Sequence, residues 1–133
     1  MATKTYTPAD MAVIAGAAII LDFESLSVEY DEDHWSYSVG SGGEATRTKN
    51  SNRLGTIKIE VPQTHESNLT LSIAAASDLF ILVNIVDTNG SSIHTILEAS
   101  IVKPPAAEYS KSESGTREWV FRGVLDVNII GGN

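Results

Sequence analysis

The sequence predicts a mainly β fold, an antiparallel β-sandwich or barrel with one short α-helix. Three observations predict it. Several segments alternate apolar and polar residues with the period of a strand. A single stretch has helical spacing, and there is neither a βαβ alternation nor an internal repeat. At 133 residues the chain fits one domain, 1–133, and is long enough to bury a core.

Residues 1–11, mostly the polar run MATKTYTPAD, suggest an extended N-terminal arm. Ala17 to Tyr30 is β-type, but its alternation changes phase. Leu21 and Phe23 share one parity and Leu26, Val28 and Tyr30 the other, which predicts a bulge or bend near Glu24 and Ser25. Residues 31–53 combine an acidic tip, the aromatic island HWSY, the run GSGG and the basic run TRTKNSNR. Their periodicity is weak, and a loop of that length in a compact domain is functional or mobile.

Clean alternation resumes at Gly55 to Gln63, with Ile57, Ile59 and Val61 on one face and Lys58 and Glu60 on the other. Pro62 marks the strand's end or an edge position. Thr64 to Asp78 is the helix: Ser67 or Thr64 supplies the cap, Leu69 and Ile73 lie four apart, and Ala74 to Ala76 favour helix. Leu79 to Val86 is apolar on both parities, as in a strand buried on both faces.

The run DTNGS carries Asn-Gly, a strong hairpin signal, and leads into a returning strand from Ile93 to Val102. Ile93, Thr95, Leu97, Ala99 and Ile101 are expected on one side. Lys103 to Thr116 is a loop broken by two prolines. Glu118 to Ile130 is the last strand, with Trp119, Phe121, Leu125 and Val127 opposite Glu118, Arg122 and Asp126.

Chemistry is mostly excluded. The chain has no cysteine, so disulfides and thiolate metal sites are impossible. His34, His65 and His94 are far apart and form no ligand motif, so they are expected at the surface or in loops. The acidic run Glu29, Asp31, Glu32, Asp33 lacks the calcium-loop spacing. The glycines of GSGG precede no helix and no Gly-Lys-Ser/Thr, and no serine sits in a nucleophile elbow. Neither an enzyme, nor a metal, nor a cofactor is expected.

Asn68-Leu69-Thr70 fits a glycosylation sequon without a secretion signal to support it. No apolar run approaches the roughly 20 residues of a membrane span, so no membrane anchoring is expected. The net charge of −8 opposes a grip on nucleic acid, which needs a basic surface. It suits a surface that nucleic acid passes without sticking, although solubility alone also explains such a balance. The basic residues Arg47, Lys49 and Arg53 have a nearer partner in the acidic tip Asp31 to Asp33, within one hairpin or between subunits.

Four segments, VGSGGEATRTKNSNRLGTIKI, QTHESNLTLS, VKPP and GTREWVF, give the chain a resemblance to the small tail tube proteins of contractile-tailed bacteriophages. It extends from Ile14 to the C-terminal GGN, and none of its motifs is catalytic. The resemblance implies a tail-tube-type fold whose subunits form stacked hexameric rings, each subunit giving four strands to a continuous inner barrel. About 24 strands at ~4.8 Å give a backbone diameter of roughly 37 Å, enough for a DNA duplex.

It further implies a virion tail location after assembly in the host cytoplasm. The expected partners are the protein itself, tail sheath, baseplate and tail terminator, with DNA passing unbound. Asp22, Glu24, Lys58, Glu60, Glu98, Arg122 and Asp126 are then the lumen-lining candidates, an acidic wall that lets phosphates slide. On the residue pattern alone they are the wet face of an antiparallel sheet.

Asp31, Asp33, Trp35, Tyr37, Arg47, Lys49 and Arg53 are the inter-ring candidates, with the two aromatics as anchors. Trp35 folded over its own core is the alternative. Two further readings stay open. One is a tube of a related bacteriocin or secretion machine; the other is a monomeric carbohydrate-binding module with exposed aromatics.

Overall fold

The computed structural model describes residues 11–16, 18–20, 23–88 and 90–131. Asp22 and most of the N-terminal arm lie outside the described residues. Among the described residues, ten strands and one helix follow in order: β1 (Met11–Ala15), β2 (Ala18–Ile20), β3 (Ser25–Tyr30), β4 (Trp35–Val39), β5 (Ala45–Lys49), β6 (Leu54–Pro62), α1 (Ser67–Ala76), β7 (Ile81–Asp87), β8 (Ile93–Lys103), β9 (Thr116–Val124) and β10 (Val127–Ile129). All their pairings are antiparallel, so the mainly β prediction holds.

The main sheet runs β2-β1-β7-β8-β9-β6-β3, with β10 also on β8. Its two edge strands, β2 and β3, are consecutive in the chain. From Ile20 to Ser25 the backbone can span only about 17 Å at ~3.4 Å per residue, so the sheet must curl until its edges approach. Its concave side encloses the core of Val13, Ile20, Ile57, Ile59, Val61, Val83, Ile85, Ile96, Trp119 and Phe121, each at most 1% exposed. The phase change near Glu24 is therefore a crossing from one edge to the other. Met11, the last residue of the expected arm, begins β1.

The clearest alternation makes β6, an interior strand between β9 and the edge strand β3. β6 buries Gly55, Ile57, Ile59 and Val61 while Lys58 faces outward, and Pro62 is its last residue, paired with Thr116. Burial of each of its aliphatic side chains contributes roughly 1.5–3 kcal/mol.

α1 sits where helical spacing placed it, but its caps and faces differ. Ser67 is 3% exposed and Leu71 1%, whereas Leu69 and Ile73 are 69% and 59% exposed. The inward stripe is set by Leu71 and Ala74, three apart, which pack on the core. Neither Ser67 nor Thr64 caps the helix. The residue at the cap, Glu66, makes no side-chain bond, and the ring Nδ1 of His65 accepts the Ser67 N–H at 3.0 Å. Asn68 completes the turn, its amide donating to the carbonyls of Pro62, Gln63 and His65 at 3.1 Å each. Its Oδ1 accepts from Trp119 Nε1 at 2.9 Å, so the sequon asparagine is committed to the fold.

Three further expectations are corrected. β7 is buried on one face alone, at Ile81, Val83, Ile85 and Asp87; Leu82 is 45% exposed and Phe80 70%. β8 does not keep one face. Val83 pairs with Ile96 but Ile81 with Ala99, so a bulge at Leu97 and Glu98 shifts the inward positions from His94 and Ile96 to Ala99 and Ile101. The last strand breaks at Leu125–Asp126, which turns Leu125 inward and leaves Val127 outside.

His94 is also not a surface histidine. It is 8% exposed on the inward face, with Nδ1 and Asn128 Oδ1 2.5 Å apart.

Candidate functional site

No group of histidine or carboxylate side chains suited to a metal occurs among the described residues, and none of their helices is long and apolar enough to cross a membrane. What the fold offers is three surfaces of different chemistry. The first is the outer face of β3, β6 and β9. Its register sets Ser25, Glu60 and Glu118 in one row, Ser27, Lys58 and Val120 in the next, and Glu29, Thr56 and Arg122 in a third. β8 extends the third row with Ser100 and the second with Lys103.

Three lumen candidates, Lys58, Glu60 and Arg122, are thus brought together, and Glu24 stands beside them through its N–H on the Glu60 carbonyl at 2.7 Å. Glu98 and Asp126 lie further along, with Leu97 and Val124, around a cleft of about 310 Å³. Asp126 is partly committed, since its Oδ2 accepts the Leu97 N–H at the bulge at 2.9 Å.

Glu29, Lys103 and Glu118 belong to this face and were missed as candidates. With them the rows carry as many basic as acidic groups. Their signal was the strand parity itself, which puts Glu29 with Ser27 and Glu118 with Arg122.

The second surface is a ribbon. Residues 31–53 were expected to be a long inter-ring loop without regular structure, and they instead form the two-stranded sheet β4–β5 on a base of side-chain bonds. Every ribbon residue is exposed, so no buried periodicity could announce the strands. Its register gathers Trp35, Tyr37 and Val39 with Ala45, Arg47 and Lys49 on one face, and Ser36, Ser38, Thr46 and Thr48 on the other. The Arg47 guanidinium lies 4.0 Å from the centre of the Trp35 ring, a cation–π contact. Trp35 does not fold over the core, being 42% exposed, and Tyr37 is 70% exposed.

The acidic tip does not meet the basic run within the subunit. Asp31 pairs with Arg122 at 2.7 Å and accepts the Thr56 hydroxyl at 2.6 Å, which joins an inter-ring candidate to a lumen candidate. The Arg122 side chain is half exposed, so the pair contributes at most about 1 kcal/mol. Arg53 turns back to the carbonyls of Asn50 and Asn52. Asp33 is exposed at the ribbon base.

Glu32 anchors that base by accepting from the Asn50 amide at 2.8 Å. The side-chain amides of Asn50 first, then Asn52, hold its carboxyl below the ordinary carboxylate value. A depressed folded value means that this anchor is present at neutral pH and is lost as pH falls through it. The expected result is an Asn50 side-chain amide NMR signal that titrates below the ordinary glutamate range. That titration disappears in Glu32→Gln; a pH-independent Asn50 signal in the parent chain would contradict it.

The third surface, the outer face of β2, β1, β7, the first half of β8 and β10, carries no charge among the described residues.

A curled antiparallel sheet with one helix and a projecting ribbon is a fold shared with protein chains of contractile injection particles. One such chain is in the cryo-EM structure of the anti-feeding prophage cap, the AFP tube terminating cap: TM-score 0.62 and 10% identity over 94% of this chain and 91% of that one. A second is in the PVC sheath/tube terminator of an extracellular contractile injection system in the extended state, at 0.59 and 14% over 97% and 98%. A third, at 0.56 and 14% over 91% and 87%, is in the PVC sheath-tube complex in the extended state. No protein-family model and no curated protein sequence matches the chain.

Proposed function

We propose that this protein is a ring-forming structural subunit on the tube axis of a contractile tail, stacking on itself to build the inner tube. The observation that carries the reading is the end-to-end likeness to chains of such particles, over about nine-tenths of both partners. The surfaces agree with it. The charged face of β3, β6 and β9 suits a channel wall, on which Lys58, Glu60, Glu118 and Arg122 mix signs and give DNA no basic array to hold.

The ribbon leaves the barrel at the end where β3 stops and β6 starts, with Arg47 and Lys49 beside its aromatics. The opposite end carries Glu24, Glu66, Glu108, Glu113 and Glu118 against Lys103, Lys111 and Arg117. The ribbon end as a whole carries Asp31, Glu32, Asp33 and Glu44 against Arg47, Lys49 and Arg53, so the Arg47 and Lys49 face of the ribbon is its cationic part; head-to-tail stacking sets that face against the opposite end, a heterologous contact that propagates along an axis. Sheath, baseplate and terminator are the partners this role calls for.

A terminating ring is the second reading, favoured because two of the three structures are a cap and a terminator. Negative-stain electron microscopy at high protein concentration separates them. Hollow tubes of stacked rings support the tube role; single rings that add only to the ends of preformed tubes support the terminator. A strict monomer that binds sugars through Trp35 and Tyr37 would overturn both. Trp35→Ala is expected to fold with an unchanged melting temperature, because the side chain is 42% exposed on the ribbon and is not part of the buried core, and to form few stacked rings. Normal stacking by this variant would remove the ribbon from the contact.

A further inference from the structure

We infer that the outer face of β2, β1, β7, the first half of β8 and β10, which carries no charge among the described residues, is one of the two lateral surfaces through which each copy of this chain meets its ring neighbours. The inference rests on the ring reading above and assigns the contact to a particular face. Register places Ile19, Ile14, Asn84, Thr95 and Val127 in one row across five strands. Thr95 Oγ1 donates to Asn84 Oδ1 at 3.0 Å, so the polar pair at its centre satisfies itself. Val86, Ile93 and Ile129 form the row beside it. Ile14, Ile19, Leu82, Val127 and Ile129 are each between 38% and 62% exposed.

Contiguous apolar patches of this kind are uncommon on soluble monomers beyond a few hundred Å² and mark contact surfaces. An interface of standard size takes about 800 Å² per partner, its centre apolar and poor in charge.

Two observations say that the occupant is a second copy. The segment LFILVNIV is apolar on both parities, the pattern of a strand covered on both faces, and a single chain covers one. The chain also carries a net charge of −8, so copies repel as they approach, and a contact through a face without charge adds least to that repulsion. A ring contact joins two different surfaces, and the face of β1, β2, β7 and β10 supplies to it a side with no charge among the described residues. The charged face is then left free to line the channel.

The absence of cysteine makes the test direct. Leu82→Cys and Ile129→Cys place single thiols on the proposed contact, and Lys58→Cys places one on the charged face. Maleimide labelling is followed in dilute monomer and in assembled rings. The expected result is ready labelling of all three in the monomer. In rings, labelling at positions 82 and 129 slows by about tenfold or more, as burial in an interface requires, while position 58 keeps its rate.

Undiminished labelling at 82 and 129 in well-formed rings overturns the inference and leaves the ring reading standing. Protection of position 58 instead would assign the contact to the charged face and also overturns it. Protection of 82 and 129 already in the monomer would mean that the chain covers its own patch, and the inference falls in that case too. A parent protein that never assembles overturns the ring reading and this inference with it.

Discussion

Trp119→Ala is expected to remove about 4 kcal/mol of folding stability, within the range for truncating a large buried aromatic. The indole is 1% exposed and stands between Ile59 on β6 and the base of α1. The loss has two parts, and Trp119→Phe separates them. Phenylalanine keeps much of the apolar contact but removes the Nε1 donor, leaving Asn68 Oδ1 without its 2.9 Å partner. An unmet buried acceptor costs about 1–3 kcal/mol. Asn68 also fixes three carbonyls of the β6–α1 turn, so both variants should loosen the helix entrance. Urea denaturation followed by far-ultraviolet circular dichroism checks this: the midpoint falls for both variants, more for alanine, with the slope unchanged. Equal midpoints for the two variants would mean that packing contributes little beyond the hydrogen bond.

Gly123→Ala is expected to destabilise by about 1–3 kcal/mol or more, the cost of forcing a methyl into a filled space. A Cβ at Gly123 would lie 2.7 Å from the Glu98 carbonyl oxygen, 2.7 Å from Ile96 Cγ2 and 3.3 Å from Ala99 Cα. Two of those atoms are backbone at the β8 bulge and cannot swing aside as a side-chain tip would. Relief requires β8 and β9 to separate where the sheet bends, so amide exchange should rise around residues 96–99 and 122–124. Gly42→Ala is the control, since its Cβ would meet nothing within 4 Å, and it should leave the melting temperature unchanged. A Gly123→Ala protein as stable as the parent would show that the bulge adjusts freely.

Parts of the fold were legible because one physical requirement wrote them. In β6 and β9 one face is sealed and the other wet, so Ile57, Ile59, Val61, Trp119 and Phe121 appear at every second position and the structure buries all five. In β7 the sequence demanded cover on both faces while the single chain provides one. That mismatch is one of the observations on which the proposed lateral contact rests.

The β8 bulge was not legible. Ile93 to Ile101 offers apolar residues on both parities, and only pairing with Val83 and Ile81 of β7 decides that Ile96 and then Ala99 turn inward. The ribbon was invisible for the opposite reason: with no face buried, Trp35 to Lys49 carries no hydrophobic period, and its order comes from the ladder between β4 and β5. Leu69 and Ile73 misled because helical spacing gives a stripe without saying which stripe faces in.

The candidate residues divide in the same way. Parity alone put Lys58, Glu60 and Arg122 on one wet face. It could not pair Arg122 with Asp31, 91 residues away in the chain. Nor could it place Glu98 and Asp126 beside a bulge that local sequence does not specify.

By itself, then, the sequence determined the fold class, the strands β6 and β9 and the existence of the helix, since composition and local periodicity dictate each of these. The tertiary structure decided the curl that brings β2 towards β3, the face of α1 that is buried, the ribbon's two chemistries and the separation of a charged face from an uncharged one. Those depend on pairing register between strands distant in the chain, a free energy that no local stretch of residues contains.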